Sequence, residues 1–374
     1  MLRDPADSRL TRLDVLRAIA ILLVLGRHIL VLPLNIPKPL YFFLFYWKRV
    51  GWVGVDLFFV LSGFLVSGLL MKDYIKGRPV RPVRFLIRRG FKIYPPFWAL
   101  LVGSYFVFSV QHIPFTASMF VSEFLFVQNY WKSLWIHTWS LAVEEHFYFG
   151  LAVLFGLLFK ESKSRGEGRL IPWIVLCVGV FTVMGRSWAG FVLRVPWGSL
   201  LAQTHWRLDG LFFGVFISYF YHFRPELMKL FQARGLTMVF GVGGMVFLLP
   251  VFFFDIETSR FLTTWGFTFN YLGFGSILWA VLSLPNVPQI KQPRGWKLLS
   301  YLGRHSYSIY LWHVPIYFIS FWWALSGRGD LRYYYAQIGV YFFGSLLAGV
   351  LFSRLVESPC LALREKWFPS RGET

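Results

Sequence analysis

The chain has 374 residues, of which 56% are hydrophobic, 21% aromatic and only 15% charged, and its formal net charge is +20. That balance excludes an ordinary soluble globule of several domains and points to an all-α, polytopic helical membrane protein. In a soluble chain the excess of Lys and Arg would suggest a nucleic-acid partner. Here it is spread over short segments between apolar runs, beside anionic lipid headgroups, so membrane lipids and not nucleic acid are the expected partners.

Ten apolar stretches approach the roughly 20 residues that cross hydrocarbon: 13–33, 51–71, 93–111, 138–159, 170–188, 207–222, 236–254, 264–284, 301–324 and 333–353. The first is too long for a cleavable signal and lacks a small-residue cleavage pattern, so an uncleaved anchor is expected. With both termini cytoplasmic, the inner segments hold 26 of the 38 Lys and Arg residues and the opposite loops nine, the asymmetry that sets orientation. No linker, low-complexity tract or inverted repeat is visible, so one domain over 1–374 is expected. Cys177 and Cys360 lack metal-site spacing, and neither a disulfide nor a metal is expected.

Taken in chain order, the first stretch carries Arg17 and His28 eleven residues apart. On a continuous helix that spacing is three turns plus 20°, one face and about 16 Å. Intramembrane cations are costly and usually functional; the structural alternative is an arginine snorkelling to headgroups and a histidine capping a carbonyl. The second stretch holds Asp56 near its outer end, and Gly63 and Ser67 as packing residues. Between 72 and 92 lies the densest basic segment, with Pro79 and Pro82 keeping its first half extended and an amphipathic turn leading into the third stretch. The segment 112–137 contains a half-apolar run too short to span.

In the fourth stretch Ser140, Glu144 and Tyr148 share one face at i, i+4, i+8, which makes Glu144 the better inward carboxylate and Glu145 its neighbour on another face. Arg207 and Asp209 open the sixth stretch. In the ninth, Ser306, Tyr310, His313 and Tyr317 form a stripe that either lines a site or bonds helices together. Asp56 is expected either to pair with Arg207 or Arg27 or to meet a substrate. By depth, His28, Asp56, Glu144, Glu145, Arg207, Asp209 and His313 converge on the outer half of the membrane while Arg17 stays inside.

A buried histidine facing a carboxylate suits general acid–base work on a hydroxyl; His28 with Glu144 is the expected pair. Basic residues at the cytoplasmic mouth suit a phosphorylated donor, although basic loops are ordinary on that side of any membrane protein. A phosphate held at Arg17 could extend a thin arm about 16 Å to His28, the reach of an acyl-carrying pantetheine chain.

At RLDVLRAIAILLVLGRH, GWVGVDLFFVLSGFL, RFLIRRGFKIYPPF, HTWSLAVEEHFYF, HWRLDGLFFGV and YSIYLWHVP, the sequence resembles the membrane acyltransferase family 3, multipass proteins that O-acylate glycans and lipids. The resemblance implies about ten transmembrane helices and an acyl-CoA donor, in the first place acetyl-CoA, used from the cytoplasm as substrate with no tightly bound cofactor. It implies a glycan or lipid-linked sugar acceptor in the cell envelope and a bacterial cytoplasmic membrane. Carried over by position, it makes Arg17 and His28 the paired residues of the first helix, with His28 and Glu144 catalytic. Arg89 and Lys92 fall on its basic pair of donor-binding residues, where lysine departs from the usual arginine and cannot form a planar fork on phosphate. Asp56, Glu145, Arg207, Asp209 and His313 would then line the acceptor or acyl path. The alternative of another class is a proton-coupled transporter or flippase of a sugar or anionic substrate, in which His28, Glu144 and Arg207 relay protons.

Overall fold

Each of the ten apolar stretches holds a helix in the computed structural model, which describes residues 5–29, 36–159, 167–233, 235–284, 292–325 and 331–369. The helices are α1 (Pro5–Arg27), α2 (Lys38–Val50), α3 (Gly54–Ile75), α4 (Pro82–Val110), α5 (Ala117–Phe124), α6 (Trp139–Leu158), α7 (Leu170–Ser187), α8 (Trp197–Ala202) and α9 (Leu208–Phe223). They continue as α10 (Pro225–Ala233), α11 (Leu236–Phe247), α12 (Pro250–Phe253), α13 (Phe267–Ser283), α14 (Arg294–Arg304), α15 (Ser306–Leu325), α16 (Leu331–Phe352) and α17 (Ser358–Trp367). Among the described residues there is no strand.

Six helical segments are long and apolar enough to cross a membrane: Lys38–Ile75, Pro82–Val110, Trp139–Leu158, Leu170–Val192, Leu236–Phe253 and Leu331–Trp367. A chain with that many such segments is a multi-pass membrane protein. The other four expected stretches hold α1, α9, α13 and α15; α9 has only 16 residues and α13 only 17.

Three boundaries differ from the sequence reading, and each bears on the site. The first helix stops at Arg27, where the N–H of His28 bonds the Leu25 carbonyl and that of Ile29 the Gly26 carbonyl; residues 30–33 of the expected span lie outside the described residues. His28 therefore sits in the terminating turn, one residue past the helix. Next, α2 is an additional helix before the second stretch, rich in aromatic residues and joined to α3 by one tight turn at Gly51–Val53. A side chain at Gly51 would collide with the backbone of Leu23 and Arg27, so glycine is what lets this turn press on the end of α1. Finally, α4 starts at Pro82, eleven residues before the expected onset. Proline fits the first helical position, where its missing N–H has no partner to lose, and the basic run becomes helix instead of a turn.

Packing is tightest between α3 and α9, α15 and α16, α11 and α13, and α1 and α14. Gly63 and Gly214 face each other across the first of these pairs, and a Cβ on either would meet the opposite backbone, the small-residue contact typical of membrane helices. Ser67 bonds back to the Gly63 carbonyl at 2.6 Å. Around these contacts Phe59, Phe97, Phe147, Tyr148 and Phe155 are fully buried.

Candidate active site

Because α4 begins early, Arg84, Arg88, Arg89 and Lys92 fall at i, i+4, i+5 and i+8 and project together from its first turns. With Lys72, Lys76, Arg78, Arg81 and Arg364 they surround a vestibule of about 510 Å³, and among the described residues that line it Asp73 is the one acidic side chain. That volume falls in the range of small-molecule sites. On one side α17 closes it: Arg88 pairs with Glu365 at 2.8 Å and donates to the Phe368 carbonyl, while Arg84 donates to the Pro369 carbonyl at 2.7 Å.

Arg89 and Lys92 also line a second, deeper cavity of about 70 Å³, together with Arg17 and Arg304. The three residues read as donor-binding thus line one small space, which shares Arg89 and Lys92 with the vestibule. Arg17 keeps Asp14 at 3.5 Å. Arg89 donates to the Tyr148 hydroxyl at 2.6 Å and lies over the Tyr148 ring, leaving its Nε with no partner among the described residues. Lys92 makes no ion pair among the described residues.

Glu144 faces the same cavity, as its helical face requires, but not as the partner of His28. Its carboxylate accepts from the Ser62 hydroxyl at 2.8 Å and from the Tyr148 hydroxyl at 2.6 Å. No His28–Glu144 bond forms among the described residues: Glu144 is engaged with α3 and its own helix, and the ring beside His28 is that of His313. Glu145 lines the cavity as well, accepting from Tyr94 at 2.9 Å.

At the far end of the cavity stands Tyr310, whose hydroxyl donates to the His137 carbonyl and meets the Ser140 hydroxyl, both at 2.6 Å. Behind it three imidazoles gather. The His28 ring lies 5.1 Å from that of His313, centroid to centroid, and His313 lies 4.9 Å from His137. His313 is wholly buried and His137 nearly so. His137 was not singled out from the sequence. It precedes the fourth apolar stretch and has no helical periodicity to give it a face; its only signal is a histidine adjoining the WSLAVEE segment.

The remaining candidates lie elsewhere. Arg207 pairs with Asp56 in full burial, Asn270 donates to the other Asp56 oxygen at 2.7 Å, and the Arg207 guanidinium packs 3.8 Å over the Phe267 ring. Asp209 pairs with Arg186 at 2.9 Å. Neither Asp56, Arg207 nor Asp209 lines the vestibule or the inner cavity; together they bind α3, α7, α9 and α13. Arg186, in the last turn of α7, is fully buried and also donates to the carbonyls of Thr264 and Trp206. Arg27, at the end of α1, pairs with the exposed Glu257 at 2.6 Å.

Comparison with known proteins adds a family. Residues 10–356 match the family described as "Acyltransferase domain". A Staphylococcus aureus (strain COL) protein, provisionally named an O-acetyltransferase, is 28% identical over 372 residues, covering 93% of this chain and 56% of its own. The peptidoglycan O-acetyltransferase OatA of Listeria monocytogenes is 26% identical over 333 residues, 81% of this chain and 49% of that one. The O-acetyltransferase OatA of Staphylococcus aureus (strain NCTC 8325 / PS 47) is 23% identical over 341 residues, 86% of this chain and 54% of that one. The chain thus spans about half the length of the curated relatives it matches. No solved structure matches it.

Proposed function

The chain belongs to the acyltransferase domain family, and from that premise we propose that it is a membrane O-acetyltransferase. It takes the acetyl group of cytosolic acetyl-CoA and delivers it to a hydroxyl of a cell-envelope glycan or lipid-linked sugar. Ten crossings by α1, α3, α4, α6, α7, α9, α11, α13, α15 and α16, both termini cytoplasmic and a bacterial cytoplasmic membrane complete the reading. Relatives named for O-acetylation, one of them of peptidoglycan, support the glycan acceptor.

The observation that carries the proposal is the shared wall. Arg89 and Lys92 belong both to the vestibule and to the inner cavity, so one ligand can rest its phosphates on them and send a thin arm inward. Charge-assisted bonds from guanidinium to phosphate are the strong, geometry-selective kind, and Lys92 adds a point charge. The arm runs past Arg17 and Glu144 to Tyr310, behind which the imidazoles gather. There His28 acts as general base on the acceptor hydroxyl, which attacks the thioester carbonyl; the C–S bond breaks and the thiolate leaves on the donor side. Glu144 holds Tyr148 and Ser62, and through Tyr148 it positions Arg89.

The test is acetyl-CoA turnover by the purified chain in detergent, with donor binding measured separately. For His28→Ala, turnover is expected to fall at least about 100-fold with binding intact. For Arg89→Ala, donor binding is expected to weaken by about 10-fold or more. Full turnover by His28→Ala would remove the assigned base. Absence of donor binding by a folded protein would turn the reading to a transporter.

A further inference from the structure

The imidazole cluster contains a pattern of protons that the backbone dictates. A carbonyl oxygen only accepts, so the contact of His313 Nδ1 with the Tyr310 carbonyl at 2.5 Å places the proton on Nδ1 and leaves Nε2 as a bare lone pair. Likewise His137 Nε2 meets the Leu311 carbonyl at 3.2 Å, which puts its proton on Nε2 and its lone pair on Nδ1. Both lone pairs, His313 Nε2 and His137 Nδ1, are buried with no partner among the described residues. A buried acceptor left empty is unfavourable, so this pocket asks for a donor.

Among the described residues three polar rings surround His313, those of His137, Tyr310 and His28, the last tilted by 58° at 5.1 Å. The charged groups nearest His28 are Arg27 on its own segment and Lys48 on α2, and both are donors. From α15 the facing group is His313, and beyond it His137, on the loop before α6, packs against the His313 ring. Of these neighbours only the two imidazoles can accept an N–H, and His313 is the one in ring contact with His28.

We infer that His313 is the positioning residue of His28: its bare Nε2 accepts the ring N–H of His28, leaving the other His28 nitrogen as the base, while His137 packs behind to fix the His313 ring. This rests on the reading of His28 as general base. It assigns to a neutral imidazole the place that a carboxylate holds in other catalytic constellations. When His28 takes the acceptor proton, the same bond holds the imidazolium.

The experiment measures acetyl-CoA turnover against pH for the full chain in detergent, comparing wild type, His313→Leu, His313→Gln and His28→Ala. Leucine cannot accept the N–H, so kcat is expected to fall about 100-fold with KM for acetyl-CoA unchanged, and the acid limb of the pH–rate profile to move down by about one unit. Glutamine offers a neutral acceptor oxygen and is expected to restore kcat to within about 10-fold and the acid limb to its wild-type place. Wild-type kcat in His313→Leu, or equal losses in both variants with an unmoved acid limb, would overturn the inference while leaving His28 as base. If His313→Leu does not fold, a loss beyond about 100-fold in folded His313→Gln overturns it and near-wild-type behaviour supports it. Full turnover by His28→Ala is the separate failure, since it removes the base and with it the need for a partner.

Discussion

Around Arg207 and around Arg89 the chain buries the same two kinds of group, a guanidinium and a carboxylate, in opposite ways. Arg207 grips Asp56 directly, is roofed by the Phe267 ring and borders neither basic cavity. Arg89 reaches Glu144 only through the Tyr148 hydroxyl, keeps an unpartnered Nε and forms the wall between vestibule and inner cavity. In the first arrangement the charges pair directly and the product is a joint between helices. In the second, the guanidinium is held by a tyrosine and lines two cavities; an unpartnered nitrogen does not separate the two, since Arg207 Nη1 and Arg89 Nε both lack a partner among the described residues. Buried charge alone does not mark a site; buried charge that lines a cavity does.

The comparison is broken most severely at the sealed joint. Asp56→Ala leaves Arg207 buried without its counter-charge, a change that costs about 3–5 kcal/mol, and thermal unfolding in detergent is expected to show a large loss of stability. The double variant Asp56→Leu with Arg207→Leu is expected to recover much of it, because the unpaired charge is gone.

At the cavity, Glu144→Gln is expected to leave stability nearly unchanged and acetyl-CoA turnover within about 10-fold of wild type, since the amide oxygen can still accept from Tyr148 while its NH2 donates to the Ser62 hydroxyl, which turns to accept. A loss as large as that of His28→Ala would instead place Glu144 in contact with the base during turnover. Kinetics on the two variants side by side separates these outcomes.

The smallest effect concerns Glu123, in the loop region that carries His137. Burial pushes its carboxyl up to about 7, against the Trp135 N–H, the Thr138 hydroxyl and the Leu134 N–H that hold it down. The folded chain thus keeps a proton that an unfolded chain releases near the ordinary 4.5. Stability from this group is full below that value and lost as pH rises through about 7. Glu123→Gln, neutral throughout, is expected to flatten that part of the dependence of Tm on pH.

Much of the fold was legible because apolar length and i, i+4 spacing are local properties. The ten stretches hold helices, and Gly63 and Ser67 pack as their spacing suggested. Arg17, Arg89 and Lys92, from two different helices, line one cavity. Asp56 and Arg207 took the structural one of the two roles left open for them. The His28–Glu144 pair was the misreading, and its origin is specific. Helical spacing puts Glu144 on an inward face but does not say which neighbours meet it there, and those are Ser62 and Tyr148. Arg186 was hidden in the same way, since a cation near the end of an apolar run reads equally as a loop residue or a buried one.

By itself the sequence determined that this is an all-helical membrane chain of the acyltransferase family with cations and histidines at set places along its helices. Those are consequences of composition and of spacing between chain neighbours. Only the tertiary structure decided which charges pair with one another, which line the cavity, and that His28 meets the ring of His313, itself packed against His137. Such pairings depend on where each helix ends and how it is rotated against its neighbours, and that is set by packing across the bundle, in contacts such as Gly63 on Gly214 and Gly51 on the end of α1.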